Sequence, residues 1–284
     1  MTYYRNEMRL IRMEIRLGPA GNCLLSKGEK TLDSLKNLVK MGLKAQEIEF
    51  VRGTYMGNYE AKKVGELAKK LDIKLSVHSS YYINLASKEP IKIEQSKKRI
   101  LDSAERMHHM GGGPVVFHPS YFSGQDKEHV YNMTKEAVLD MMKTIKKNKW
   151  KCQLASETTG KHSAFGSLDE TIRLVNETGC SICVDFAHLY ARRQGIIDYA
   201  EILDKLKPLM PRLNHHLHIH FSNIEFTDKG ERKHLLLSNR PPFEPLAKEI
   251  LDRKLDVTII SESPATWEDA QKMRKIFERL GHRF

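Results

Sequence analysis

The feature that most restricts the fold of this chain is a cadence. A short β-branched, apolar run gives way to a polar turn and then to a helical stretch, and the pattern recurs eight times in 284 residues. The runs are 9–17 (RLIRMEIRL), 45–51 (AQEIEFV), 73–78 (IKLSVH), 114–118 (PVVFH), 152–157 (CQLASE), 181–185 (SICVD), 216–222 (HLHIHFS) and 256–262 (DVTIISE). Most are too apolar for a strand with one wet face, which suits a parallel sheet covered by helices. Leu32, Leu35, Leu38 and Val39 line one helical face before Gly42, and Ile100, Leu101, Ala104 and Met107 line another before Gly111-Gly112-Gly113. Ser167 with Glu170, and Thr266 with Asp269, have capping-box spacing, and Pro208 and Pro211 close a further helix. Eight strand–helix units at roughly 35-residue intervals predict a (β/α)8 TIM barrel. A doubly wound open sheet is the alternative, but no Gly-x-Gly-x-x-Gly turn follows the first run. No linker-like segment divides residues 1–284, so one barrel domain is expected.

Composition narrows the setting. Lys and Arg number 47 against 36 Asp and Glu, a formal charge of +11 that favours a polyanionic partner or simply a well-solvated basic surface. No run approaches the ~20 apolar residues of a membrane span. The opening MTYYRNEMRLIRMEIRL is broken by charge throughout and lacks the apolar core of a secretory signal. Four cysteines form no disulfide framework, so a reducing cytoplasm is expected; a monomer is a separate expectation. Cys180 and Cys183 read as core, as do Met141-Met142 and Trp150, and His108-His109 as favourable charge at a helix C-terminus.

In a (β/α)8 barrel the chemistry gathers where the strands end. From the third run onward those ends are His78, His118, Glu157, Asp185, His220 and Glu262. Six successive strands thus finish in a residue able to bind a metal, although Asp, Glu and His make up only about one residue in six. Carboxylates and imidazoles without cysteine suit Zn2+, Mn2+ or Fe2+, and more than four ligands imply more than one ion. His188, three residues past Asp185, can enter the same mouth. His218 shares a strand face with His220 and reads as a packed or supporting residue.

The motifs VHSSYYINL (77–85), VFHPSYF (116–122), SETTG (156–160), CVDFAH (183–188), HIHFSN (218–223) and IISES (259–263) resemble the endonuclease IV family of DNA-repair enzymes. That resemblance implies a barrel with three clustered zinc ions, cleaving double-stranded DNA on the 5′ side of abasic sites. It makes His78 and His118 ligands of one ion and Glu157 the catalytic carboxylate bridging it to a second. Asp185, His220 and Glu262 would complete the second site, and His188 would belong to the third. Tyr81 matches the family's tyrosine near the abasic nucleotide, and Arg52 falls by position where the family has a DNA-contacting loop.

Two departures stand out. Where the family has Asp-x-His for the third ion, this chain has Glu231-Arg232-Lys233-His234, and the loop after Glu157 is a residue shorter. Either Glu231 and His234 join His188 on a third ion, or the enzyme works with two. Three divalent ions set against Glu157, Asp185, Glu231 and Glu262 would leave two positive charges to attract a phosphate. Arg192-Arg193 and Lys229–Lys233 are expected to neutralise flanking phosphates. A sugar isomerase or epimerase on the same type of barrel, with one or two metals, is the competing expectation, and a catalytically inert DNA-binding barrel is a third.

Overall fold

The computed structural model describes residues 13–23, 30–238 and 240–284. Eight parallel strands form a nearly closed barrel with helices between them. They are β1 (Ile15–Pro19), β2 (Ala45–Glu49), β3 (Lys74–His78), β4 (Pro114–Phe117), β5 (Gln153–Glu157), β6 (Ser181–Asp185), β7 (His216–Phe221) and β10 (Asp256–Ser261). Between β7 and β10 a two-stranded antiparallel hairpin stands apart, β8 (Asn223–Thr227) and β9 (Gly230–Leu235). The helices are α1 (Thr31–Lys40), α2 (Asn58–Lys70), α3 (Pro90–His109), α4 (Lys127–Lys147), α5 (Leu168–Thr178), α6 (Phe186–Arg192), α7 (Tyr199–Leu206), α8 (Phe243–Asp252) and α9 (Thr266–Arg279). None of them is long and apolar enough to cross a membrane.

Alternation along each strand sorts the side chains into two shells. Leu17, Ile48, Val77, Phe117, Leu154, Val184, Ile219 and Ile259 point outward and pack with Leu35, Leu38, Ile100, Ala104, Met107 and other helix residues into the main core. Inside the barrel, Val116, Ala155 and Cys183 form a small separate apolar cluster. The opposite inner wall is polar, with Glu47, Ser76 and His218 all buried.

The sheet closes between β1 and β2. Lys44 N–H donates to Leu17 O at 2.9 Å and Gly21 N–H to Glu47 O at 2.9 Å, while Ala20 bridges Glu47. Gly18 permits this approach, since a β-carbon there would lie 1.7 Å from the Ala45 carbonyl oxygen.

Several expectations change. Of the predicted strand 9–17, residues 9–12 lie outside the described residues, and the paired strand begins at Ile15, with Glu14 joined to β10 through Val257 N–H on its carbonyl at 2.8 Å and the Asp256 carboxylate on its amide at 2.6 Å. The strand runs on to Pro19, paired with Ser261. Val39 is 41% exposed rather than facing the core. Ser167 and Glu170 do form a capping box on α5. Thr266 and Asp269 do not: Thr266 is the first residue of α9, and buried Asp269 accepts from Leu237 N–H at 2.7 Å and Lys272 Nζ at 2.6 Å. That carboxylate fixes the segment following the hairpin instead of the helix start.

Gly18→Ala should destabilise the chain by about 1–3 kcal/mol or more, because overpacking at the seam has only backbone to push against. Equilibrium denaturation measures this, and an unchanged midpoint would mean that the seam can open to admit the methyl group.

Candidate metal centre

The strand ends meet at the C-terminal mouth around one buried carboxylate. Glu157, the last residue of β5, is fully buried. Its Oε2 lies 3.0 Å from His78 Nε2 and 3.0 Å from His118 Nε2. Its Oε1 lies 3.3 Å from His188 Nδ1 and 3.3 Å from His220 Nδ1. Burial by itself would raise the Glu157 carboxyl, but the imidazoles of His118 and His220, with hydrogen bonds from His118 and His188, hold it well below the usual carboxylate range. Conversely, burial disfavours a charge on His78, yet its bond to Glu157 and the carboxylates of Glu49, Glu157 and Glu47 push it up to about 10.

Local structure aims the other groups. Asp185 ends β6 and caps α6, its Oδ1 accepting the His188 amide at 2.6 Å. Its Oδ2 is buried with no hydrogen-bond partner, and burial with the charges of Glu262 and Glu157 pushes the group up to about 8 despite His188. The same cap sets the first turn of α6 so that the His188 ring enters the mouth. Glu262, just past β10, brings Oε1 to 3.1 Å from His220 Nδ1.

The hairpin supplies the third group. From Asn223 to Glu225 the partners of β8 are Leu235, His234 and Lys233, but Phe226 faces Glu231. Arg232 is therefore a β-bulge, the extra residue in β9. In a regular strand, residues three apart face opposite sides; the bulge returns Glu231 and His234 to one side. Glu231 Oε2 lies 3.2 Å from His188 Nε2 and His234 Nε2 lies 3.7 Å from Glu262 Oε2. The loop after Glu157 docks here too, Gly160 N–H donating to Glu231 Oε2 at 2.9 Å. A β-carbon on Gly160 would come within 2.4 Å of that oxygen.

Most of the rings are oriented from behind. His78 Nδ1 meets Ser79 O at 2.7 Å and His188 Nδ1 meets Thr158 O at 3.0 Å, so each donates its N–H to a carbonyl and turns Nε2 inward. Ser222 Oγ donates to Asn223 O at 2.9 Å and so accepts from His234 Nδ1 at 2.6 Å, turning that ring's Nε2 inward as well.

The donor set fits divalent cations. Ligand atoms lie within 4.8 Å of one another in the groups His78–His118–Glu157, Glu157–Asp185–His188–Glu262 and His188–His234–Glu262. Oxygen and nitrogen donors in such groups, with one buried Asp185 oxygen unpartnered, are the environment of a metal centre rather than of a packed core.

On the rim, Tyr81 is 54% exposed, its ring 5.7 Å from that of His78 and 6.4 Å from that of His118. Arg52 is exposed in the turn after β2, and that turn is tied to the Tyr81 loop through Val51 O, which accepts from Ser80 Oγ at 3.1 Å. Arg192 does not face solvent as a phosphate contact would. Its guanidinium donates to the carbonyls of Lys161 at 2.7 Å and Ala164 at 3.1 Å, holding the loop after β5, and Arg193 pairs with Glu201. Arg232 and Lys233 are exposed but share Glu225.

Two acidic residues were missed from the sequence. Glu47 and Glu49 alternate with outward-facing Ile48 on β2 and so both face the barrel interior. Glu47 lies 2.9 Å from His220 and 3.0 Å from His218. Burial and the charges of Glu47 and Glu262 push Glu49 up to about 8, so it is mostly neutral at pH 7. Glu47 is held below the usual range by His220 and His218 against the effect of burial. The readable signal was the pair of glutamates two apart around an isoleucine.

A (β/α)8 barrel with imidazoles and carboxylates gathered at its C-terminal mouth defines the class, and the chain belongs to the xylose isomerase-like TIM barrel family, whose profile matches residues 35–280. An uncharacterized protein of Methanocaldococcus jannaschii, MJ0133, is 36% identical over 273 residues, covering 93% of this chain and 97% of its own length. The probable endonuclease 4 of Mesomycoplasma hyopneumoniae strain J is 27% identical over 166 residues, 50% of this chain and 58% of that protein. Among solved structures, the endonuclease IV of Thermus thermophilus superposes with a TM-score of 0.72 at 21% identity, covering 93% of this chain and 98% of the other. A D-tagatose 3-epimerase-like protein gives 0.71 at 17%, covering 93% and 96%. The two structural likenesses share the fold and leave the reaction open.

Because His78 is held at about 10, a cation arriving at pH 7 displaces its proton. Binding of a divalent metal should therefore release protons, and affinity should rise with pH between 6 and about 9. Calorimetry in buffers of different ionisation enthalpy reads the proton count; a count of zero would mean that the imidazoles do not coordinate.

Proposed function

We propose that this chain is a zinc-dependent phosphodiesterase that incises double-stranded DNA on the 5′ side of abasic sites, with Mn2+ or Fe2+ as alternative metals. The observation that carries the reading is Glu157, whose Oε2 lies 3.0 Å from the Nε2 of both His78 and His118 while its Oε1 lies 3.3 Å from His220 Nδ1, so that it would hold one cation with the first two imidazoles and a second beside His220 and Glu262. With Asp185, Glu262 and the Glu231–His234 pair around it, the donors are numerous enough for three. Ions so held would lower the pKa of water and stabilise charge on a leaving oxygen.

The chain's own residues do the rest. His78, His118, His188 and His220 fix the bridging carboxylate, and Asp185 and Glu262 balance the charge without cancelling it. A nucleotide must leave the stack to reach a site this deep, and the lesion that lacks a base does so at least cost. Tyr81, half exposed beside His78 and His118, can fill the space of the missing base, while Arg52 on the adjoining turn can meet a flanking phosphate. The formal +11 supports a polyanionic substrate, as do the probable endonuclease 4 relatives.

A sugar isomerase or epimerase of this fold is the second reading, favoured by the likeness to a D-tagatose 3-epimerase-like protein. It needs one or two ions and a base beside a carbonyl, which leaves several of the imidazoles without a task.

Zinc-loaded protein should nick a duplex with one abasic site to leave a 3′-hydroxyl, and prolonged chelation should abolish the activity. Glu157→Gln should lower turnover by more than about 100-fold, beyond the cost of losing an outer-shell partner. Zinc-loaded protein that nicks no abasic duplex but interconverts ketoses would support the sugar reading instead.

Metal stoichiometry decides the hairpin's part. Three zinc ions per chain are expected after removal of loose metal, falling to two in His234→Ala. Two in the wild-type protein would leave Glu231 and His234 as a structural pair.

A further inference from the structure

We infer that the chain carries a second nucleic-acid surface at the end of the barrel opposite the mouth, where lysines around the C-terminus of α4 meet a phosphate backbone. Residues 143–151 read KTIKKNKWK, five lysines in nine residues with no acid among them. Lys143, Lys146, Lys147, Lys149 and Lys151 are all exposed. Among the described residues none of the five has a carboxylate within ion-pair distance; Asp140, one turn before Lys143, is held by Lys97 instead. Helix α4 ends at Lys147 and β5 begins at Gln153, so the run occupies the turn beneath the sheet. The length of β5 alone separates that turn from Glu157 by about 13 Å. Arg212, in the segment before β7, lines the same cavity as Lys143 and Lys146 and adds a sixth cation. Its guanidinium donates to the Asn176 carbonyl at 3.1 Å rather than to a carboxylate.

Helix electrostatics account for part of this charge. Lys146 and Lys147 lie in the last turn of α4, where cations complement the helix dipole. Lys149 and Lys151 lie beyond the C-cap Asn148 and Lys143 lies a turn earlier, so the dipole does not explain the run as a whole. At the mouth, by contrast, Lys161 pairs with Glu231, Arg232 and Lys233 share Glu225, and Arg192 and Arg193 serve the protein's own loops and helices. Part of the formal +11 thus faces away from anything seated at the mouth. The chemistry of the run selects its partner. Membrane surfaces are bound by apolar side chains as well as by charge, and here Ile145 is buried and Trp150 half-buried. Protein partners are held by aromatic anchors in desolvated pockets, which nothing exposed in the run provides. Lysines are hydrated point charges on flexible stems, suited to phosphates contacted without reading the bases. Lys143 stands about 5–6 Å from Lys146 and Lys147 on the helix surface, a row that a strand of phosphates can follow.

The inference does not depend on the reaction at the mouth, and wild-type protein that nicks no abasic duplex leaves its readouts unaltered. Binding of a short intact DNA duplex is followed by fluorescence anisotropy across salt concentrations, with the five lysines replaced together by glutamine. The slope of log affinity against log salt should flatten by about 2 or more, since each lost phosphate contact removes about 0.9. Affinity at low salt should fall by about 10-fold or more. Replacement of the five by arginine, which keeps the charge, should retain the wild-type slope, and loss of binding there would overturn an electrostatic contact. In the wild-type protein, acetylation of surface amines read by mass spectrometry should find Lys149 and Lys151 protected by the duplex. The mapping decides the matter without any variant, should the glutamine substitutions lower the thermal midpoint. An unchanged slope in a folded glutamine variant, or protection confined to lysines at the mouth, would overturn the inference. So would tighter binding to phosphatidylserine vesicles or to polyglutamate than to the duplex at equal salt.

Discussion

The mouth of this barrel is organised by a single buried ion. Glu157 has no exposure to solvent, and an isolated carboxylate in such a place would cost several kcal/mol. It survives because four imidazoles close on it, each from a different part of the chain: the ends of β3 and β4, the first turn of α6, and β7. Four parallel strands must therefore finish at one height. The register of the sheet delivers this, with Asp185 level with His220 on adjacent strands. The outward-facing apolar side chains hold that register, and the inward ones exploit it.

Much of the ring was legible because the rule that reveals it is geometric. Parallel strands all end at one face, so reading the last polar residue of each run reads the circumference of the mouth. The same reasoning missed Glu47 and Glu49, since the run expected over 45–51 ends at Val51, whereas the strand stops at Glu49. Only the closure of β2 against β1 turns their face inward, and closure is a property of the whole sheet. The hairpin was hidden for a different reason. Its first strand, Asn-Ile-Glu-Phe-Thr, alternates over five residues only, and its second, Gly-Glu-Arg-Lys-His-Leu, is polar up to its last residue and is broken by the bulge at Arg232. Arg192 was misread because its charge suggested solvent, whereas the loop after β5 needed a donor for its carbonyls.

Neutral and charged supports are distributed unevenly around the centre. Carbonyls and a hydroxyl hold His78, His188 and His234, while the polar inner wall brings the Glu47 carboxylate to 2.9 Å from His220 without a hydrogen bond between them. One half of the barrel interior is thus apolar, with Val116, Ala155 and Cys183, and the other is ionic. The exposed basic residues act at longer range and are screened by salt, so they can steer a polyanion without setting the chemistry.

Chain order adds a last consequence. Glu262 follows the final barrel strand, and its partner β1 is the first, so the ring joins segments made at opposite times during synthesis. A nascent chain that has completed β7 already carries most of the imidazoles and carboxylates, yet lacks the strand that seats His220 between its neighbours. Loose ligands of this kind capture ions indiscriminately, whereas a closed sheet admits only those its spacing fits. A cation site built on these groups would therefore be complete only once β10 lies between β7 and β1.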